Sequence, residues 1–268
     1  MLAQDFFIYL NFQVGILKLS SVIIAKNEEL NIGRCIESQL NCIDEIIVLV
    51  DDASEDKTYD IAISYPTATV RKVKWQGYSE TKKQGISLAA NDWIFWIDAD
   101  ESITPELCEE IREFKKSVPS FTAYSIPRRA YFLGKWIEHS GWYPGRVTRL
   151  FNKGNADFNN NNVHEHLEVE GVTGKLKNDL EHYTDPSISH YFEKYNNYTS
   201  LAARELFNRG KGTSIGDIIF RPAGIFLKMY VLKAGFLDGI HGFILAVFSA
   251  SYVFTKYCKL WELKRNKK

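Results

Sequence analysis

From Leu19 to Asp98 four short apolar runs alternate with amphipathic stretches, and few folds accommodate that order. LSSVIIA (19–25), DEIIVLVD (44–51), TATVRKVKW (67–75) and DWIFWID (92–98) read as strands. NEELNIGRCIESQL, with acids in its first turn, reads as a helix. So do the stretch through Tyr65, with Ser54 or Asp56 as its cap, and Ser79 to about Ala90. Strands joined through helices require right-handed crossovers, and hence a mostly parallel sheet flanked by helices in a Rossmann-like α/β domain. Thr104-Pro105-Glu106 places an N-cap and a first-turn proline before a further helix to about Lys116. All four strand ends then lie along one edge, where such sheets bind ligands.

That edge is acidic. Asp51 and Asp52 close the second strand, Asp98 and Asp100 the fourth, and Lys26-Asn27-Glu28-Glu29 follows the first. Glu29 and Asp56 are read as helix-capping acids. Asp51, Asp98 and Asp100 are read as functional, because carboxylates gathered without basic partners repel one another unless a cation or hydrogen-bond donors are supplied. Two carboxylates one residue apart suit a hard divalent cation, Mg2+ or Mn2+, that completes its shell with phosphate oxygens and water. Neither GxGxxG nor GxxxxGK[ST] follows any strand, which disfavours dinucleotide dehydrogenases and P-loop NTPases.

Thirty-three basic residues balance thirty-three acidic ones, which argues against a nucleic-acid partner. Cys35, Cys42, Cys108 and Cys258 show no Cys-x-x-Cys spacing, so neither a zinc site nor a disulfide framework is expected, and a reducing cytoplasmic setting fits. The apolar run FFIYLNF near the start lacks a positive n-region and a cleavage site, so residues 1–18 read as an extension rather than a signal peptide. The region 121–183 is strand-like and aromatic and holds His139, His164, His166 and His182, with Glu165 between two of them; a long polar helix follows from Ser187 to Arg209.

SVIIAKNEE, IIVLVDDASEDKT, GYSETKKQGISLAANDWIFWIDADE, YFLGKWIEHSGWYPGRVTRLF and VHEHLEV, in that order, resemble the family 2 inverting glycosyltransferases, most closely the lipopolysaccharide-core β-1,4-glucosyltransferase branch. The resemblance runs from about Leu19 to Leu263. It implies a GT-A catalytic domain over 19–186, divided into a nucleotide-sugar half (19–116) and an acceptor-side half (117–186). It also implies a UDP-sugar donor, with UDP-glucose typical of the branch, a divalent metal, and inversion at the anomeric carbon. By the same resemblance Ala25, Glu28 and Asp51 contact the nucleoside, with Asp51 reading the uracil, and Lys82 faces the donor nucleotide. Asp98 is a ribose or metal contact and Asp100 the metal ligand at the diphosphate. Glu165 is the candidate general base and His164 a metal-side group, while Trp142 and Tyr143 are candidates to stack on an acceptor sugar. The chain departs from the branch at Gly145 after Tyr-Pro and in the asparagines before VHE, positions that bear on the acceptor.

The C-terminal region, 187–268, is expected to be helical and membrane-associating. From Ile218 to Lys268 the formal charge is +7, against −7 for the remainder. Gly239 to Thr255 is seventeen residues without formal charge, about 26 Å of helix against a hydrocarbon core of about 30 Å, which favours an interfacial or shallowly inserted helix. Flanking lysines (228, 233, 256, 259 and 264) would attract an anionic membrane surface, placing the protein peripherally on the inner face of the cytoplasmic membrane.

The sequence therefore predicts a metal-dependent inverting glycosyltransferase that moves a hexose, glucose by resemblance, from a UDP-sugar to a hydroxyl of a lipopolysaccharide-core or other lipid-linked glycan. A polyprenyl-phosphate glycosyltransferase is the enzymatic alternative: a phosphate nucleophile needs little base catalysis, so Glu165→Gln would spare it while costing a hydroxyl acceptor ~10²-fold. The non-enzymatic alternative is a membrane-bound sugar-nucleotide or glycan-binding module, for which a base is superfluous.

Overall fold

The computed structural model describes residues 16–159 and 167–266. The alternation read from the sequence is present: β1 (Leu19–Ala25), α1 (Ile32–Glu37), β2 (Glu45–Asp51), α2 (Thr58–Ile63), β3 (Ala68–Val73), α3 (Tyr78–Leu88) and β4 (Trp93–Asp98). Then come β5 (Glu101–Ile103), α4 (Pro105–Lys115), β6 (Ala123–Phe132), β7 (Lys135–Trp136), β8 (Gly145–Asn152), β9 (Ala156–Phe158), β10 (Leu167–Val169), β11 (Thr173–Lys175) and β12 (Leu180–Asp185). The main sheet runs β3-β2-β1-β4-β8-β6-β12-β5, with β7 and β11 also on β6, and β9 pairs with β10 in a separate ribbon.

β1, β2, β3 and β4 are mutually parallel, whereas β8 runs antiparallel to both β4 and β6. Chain order reverses about β1, with β2 on one side and β4 on the other, so the crevice typical of such a switch opens between the ends of β1 and β4. Register sets Ile24 opposite Asp98 and Ala25 opposite Val50, which brings the three acidic strand ends side by side. The central strands β1 and β2 are buried on both faces, as a parallel sheet requires, while the edge strand β3 is largely open to solvent. Helix α3 lies so close to β1 that a Cβ on Gly85 would stand 2.4 Å from a Val22 methyl, which accounts for the glycine in mid-helix.

Two local expectations are corrected. The first helix does not begin at Asn27: Lys26 to Asn31 form a loop, with Asn27 in the left-handed region (φ 54°), and α1 carries no acid in its first turn. Nor does Ser54 or Asp56 occupy the cap position of α2, which is Lys57. These residues instead zip two loops together. The amides of Asn27, Glu28 and Glu29 donate to Ser54 Oγ, Thr58 Oγ1 and Asp56 Oδ2, while the amides of Glu55 and Lys57 donate back to Asn27 Oδ1 and Glu29 Oε2. Backbone donors that a longer helix would have used are satisfied by side chains of the facing loop. The cap on α4 is as read: Thr104 Oγ1 accepts from the Leu107 amide ahead of Pro105.

The C-terminal region is helical: α5 (Ile188–Asn208), α6 (Ile215–Phe226), a π-helical turn (Leu227–Leu232), a 3₁₀ turn (Gly235–Asp238) and α7 (Ile240–Arg265). Asp238 pins the start of α7 to the segment after β7, its buried carboxylate accepting from the Glu138 and His139 amides. Helix α5 clamps α7 through Tyr195 Oη to Thr255 Oγ1 (2.6 Å) and Lys259 Nζ to the Asn196 carbonyl and Thr199 hydroxyl. Helix α6 has no buried residue although it is apolar: Phe220 is 74% exposed, and Leu232, at the end of the π-helical turn that follows, is 78% exposed. Among the described residues α7 alone is long and apolar enough to cross a membrane, and most of its apolar stretch is not buried within the protein.

Candidate active site

The crevice between β1 and β4 is a cleft of about 490 Å³. It is lined by Ile24 and Ala25 at the end of β1 with Glu28 in the loop that follows, and by Asp98 at the end of β4 with Ala99 and Asp100 after it. Trp75 and Tyr78 wall one end, edge to face at 4.8 Å, held by a turn in which Gly77 adopts φ 98°, a conformation that glycine enters without strain. Lys194 and Tyr198 of α5 close the other side. Ala25, Glu28, Asp98 and Asp100, four residues singled out from sequence, are thus brought together. Asp51 sits behind them, nearly buried, with Oδ2 2.8 Å from Lys26 Nζ and Oδ1 accepting from the Ala53 amide. Burial alone would raise its pKa, and the Lys26 and Ala53 contacts hold it below the usual carboxylate range.

The expectation of a carboxylate edge without basic partners is corrected. Arg149 of β8, 2% exposed, reaches beneath the strand ends. One terminal nitrogen donates to Asp98 Oδ2 at 2.5 Å and to Glu101 Oε1 at 2.6 Å, and the guanidinium lies 3.6 Å over the Trp96 ring. Lys82 is buried as well, its Nζ 4.0 Å from Asp98 Oδ1 and 3.9 Å from the centre of the same Trp96 ring, so it braces Asp98 and is not among the residues lining the cleft. Burial pushes the Asp98 carboxyl up, but Arg149 and Lys82 outweigh it and hold the pKa at about 2. Asp98 is therefore a fixed, neutralised anion.

Asp100 stands differently. Its Oδ2 is 3.3 Å from His182 Nε2 on β12, and it opens both to the cleft and to a neighbouring cavity. Among the described residues no group of three or more His, Cys, Asp or Glu side chains is arranged to hold a metal. One accessible carboxylate beside an imidazole nevertheless fits a hard cation that draws its remaining ligands from a diphosphate and water. Glu28 has its pKa raised to about 7, chiefly by burial and further by the charge of Asp100, against an opposing hydrogen bond from Asn31.

Trp142 and Tyr143 do not line the cleft: Trp142 packs edge to face on Phe132, and the Tyr143 hydroxyl donates to Asp179. His164 and Glu165 lie outside the described residues. The strands flanking them are described, with Phe158 paired to Leu167 and its ring 5.3 Å from Trp96, two residues before Asp98. Residues missed from sequence are Arg149, Trp75, Tyr78, Lys194 and Tyr198, while His182 was noted among the histidines of 121–183 without a role. Two signals were present: an arginine inside the apolar run VTRLF, which is buried only when paired, and Tyr191, Tyr195 and Tyr198 at helical spacing beside Lys194.

Residues 20–172 match the model of the family described as "Glycosyl transferase family 2". The lipopolysaccharide core biosynthesis glycosyltransferase LpsC of Rhizobium meliloti is 31% identical, with 92% of this chain and 93% of that protein covered. The uncharacterized glycosyltransferase RP128 of Rickettsia prowazekii is 33% identical over 92% of this chain and 87% of its own length. Among solved structures, the mannosyltransferase PcManGT from Pyrobaculum calidifontis, in complex with GDP-Man and Mn2+, superposes with a TM-score of 0.53 at 11% identity, covering 91% of this chain and 87% of that one, a likeness of GT-A fold.

Proposed function

Because the chain belongs to glycosyl transferase family 2, we propose that it transfers a hexose, with glucose as the first to test, from a UDP-sugar to a hydroxyl of a lipopolysaccharide-core or other lipid-linked glycan, with inversion, at the inner face of the cytoplasmic membrane. The observation that carries this reading is the convergence of Ala25, Glu28, Asp98 and Asp100 on one cleft whose far wall carries Lys194. The name of LpsC supports the acceptor class, and the exposed apolar helices α6 and α7 support a site near lipid.

In this reading Trp75 and Tyr78 stack against the nucleoside, the Lys26–Asp51 pair presents polar groups to the base, and Asp98, locked by Arg149, accepts from a ribose hydroxyl. A divalent cation held by Asp100, with His182 beside it, would neutralise the charge of the leaving diphosphate. Lys194, on the opposite wall, attracts the same phosphates and shields the donor from water. The acceptor oxygen bonds to the anomeric carbon from the face opposite the leaving group. As that bond forms, the bond to UDP breaks, UDP keeps the electron pair, and Glu165 takes the hydroxyl proton.

Calorimetry with UDP-, GDP- and dTDP-sugars, with and without Mn2+, tests the donor site. Metal-dependent binding of one UDP-sugar that is lost in Asp100→Asn is expected, and a folded wild type that binds none of the panel refutes the proposal.

A further inference from the structure

Asp100 borders two cavities. Beyond the donor cleft, between β12, α5 and α7, lies a second cavity of about 360 Å³, and the two share Asp100, Lys194 and Tyr198. A molecule in the second cavity therefore meets one in the first at the carboxylate assigned to the diphosphate end of the donor. The volume lies at the lower end of small-molecule sites, roughly 300–1,000 Å³.

The remaining wall is aromatic and polar together: Tyr191 and Tyr195 from α5, Tyr252 from α7, and His182, Thr184 and Asp185 from β12. The tyrosines are held in place by their own hydroxyls or neighbours. Tyr195 Oη bonds Thr255, Tyr252 Oη donates to the Tyr198 carbonyl, and the two rings stand edge to face at 6.0 Å. Fixed rings offer apolar surface at little entropic cost, and the C–H face of a pyranose packs on such surface. Asp185 is anchored by His190, 3.3 Å from its Oδ1, and by the Thr184 hydroxyl. His182, whose Nε2 faces Asp100, leaves Nδ1 buried with no hydrogen-bond partner, a group that a ligand hydroxyl would satisfy. A hydrocarbon chain here would leave His182 Nδ1 unsatisfied and set the Asp100 and Asp185 carboxylates against an apolar surface.

We propose that this tyrosine-lined cavity is the acceptor subsite, which takes the terminal pyranose of the glycan and presents its hydroxyl at the junction with the donor cleft. The inference rests on the glycosyltransferase reading and gives it a geometry: α7 supplies both Tyr252 to the cavity and Phe254 to the exposed apolar groove with α6, so a lipid-linked glycan can seat its sugar on one side of the helix and its anchor on the other.

The test is saturation-transfer NMR on the full chain with methyl α-D-glucopyranoside and methyl α-D-mannopyranoside, alongside calorimetric binding of UDP with Mn2+. Thr184→Trp fills the cavity and Tyr252→Ala removes part of its wall. The expected result is transfer to at least one glycoside, weakened about fivefold in both variants, the scale of one aromatic contact, with UDP binding preserved. No transfer from wild type, or transfer unchanged in both variants, overturns the proposal. So does joint loss of UDP and glycoside binding in both variants, which would make the cavity a lobe of the donor cleft. A wild type that binds glycoside but not UDP would instead sink the donor reading and leave the sugar site standing.

Discussion

Replacing Arg149 with methionine should cost about 3 kcal/mol or more of folding stability, toward the low end of the ~3–5 kcal/mol typical of breaking a buried ion pair. Arg149 serves two carboxylates from one nitrogen, and Glu101 is fully buried while Asp98 is about one-third open. Methionine keeps the stem and contact with Trp96 but leaves two charges whose remaining cations are more distant: Arg128 at 3.4 Å from Glu101, and Lys82 at 4.0 Å from Asp98. Those two cations are why the low end applies. Much of the loss is the stranding of Glu101, so Arg149→Met with Glu101→Gln should recover about 1–2 kcal/mol relative to the single variant.

Urea denaturation at pH 7 measures both changes. The sign of the pH dependence follows from Asp98, whose folded pKa of about 2 lies below its ordinary 3.8. A depressed carboxyl contributes stability that is present above 3.8 and lost as pH falls through about 2, so the gap between wild type and Arg149→Met should hold from pH 7 to about pH 4 and then narrow. A gap below about 1 kcal/mol at pH 7 would mean that water solvates the pair, and would refute the reasoning.

Glu28 works in the opposite direction: its folded pKa of about 7 exceeds the ordinary 4.5, so its contribution to stability is present below 4.5 and lost as pH rises through 7. Glu28→Gln should therefore remove part of the fall in melting temperature between pH 5 and pH 8, and equal slopes in the two proteins would refute this. At the membrane face, Leu232→Glu with Leu237→Glu alters two side chains that are 78% and 59% exposed. The double variant should stop floating with vesicles of phosphatidylcholine and phosphatidylglycerol while its melting temperature stays near that of wild type; undiminished flotation would refute a role for the exposed leucines between α6 and α7 in holding the protein on lipid. Point changes are preferred to deletion of 236–268, because that deletion would also remove the partners of Tyr195 and Asn196 on α5.

The fold was legible because the signals that specify it are local. Period-two and unbroken apolar runs mark strands, the Thr104-Pro105 pair marks a helix start, and chain order with the crossover rule then leaves the ends of β1, β2 and β4 on one edge. The acidic residues of the cleft were legible for the same reason, since each follows a strand it terminates. Arg149 and His182 were not, because each reaches its carboxylate across the sheet, 51 and 82 residues along the chain from Asp98 and Asp100, and nothing in periodicity encodes such a pairing. The boundaries of α1 and α2 were misplaced because side chains of one loop satisfy the backbone of another, a choice that only their approach in space creates.

The sequence by itself determined the layering, the parallel run of the first four strands with their ends along one edge, and the family, since these follow from local pattern and ordered motifs. The tertiary structure alone decided which carboxylates are neutralised, that Trp142 and Tyr143 lie outside the lining of the cleft, and that α5 carries Lys194 and its tyrosines to Asp100. The physical reason is that charge pairing and cavity shape depend on distances between segments far apart in the chain, which hydrophobic periodicity does not carry.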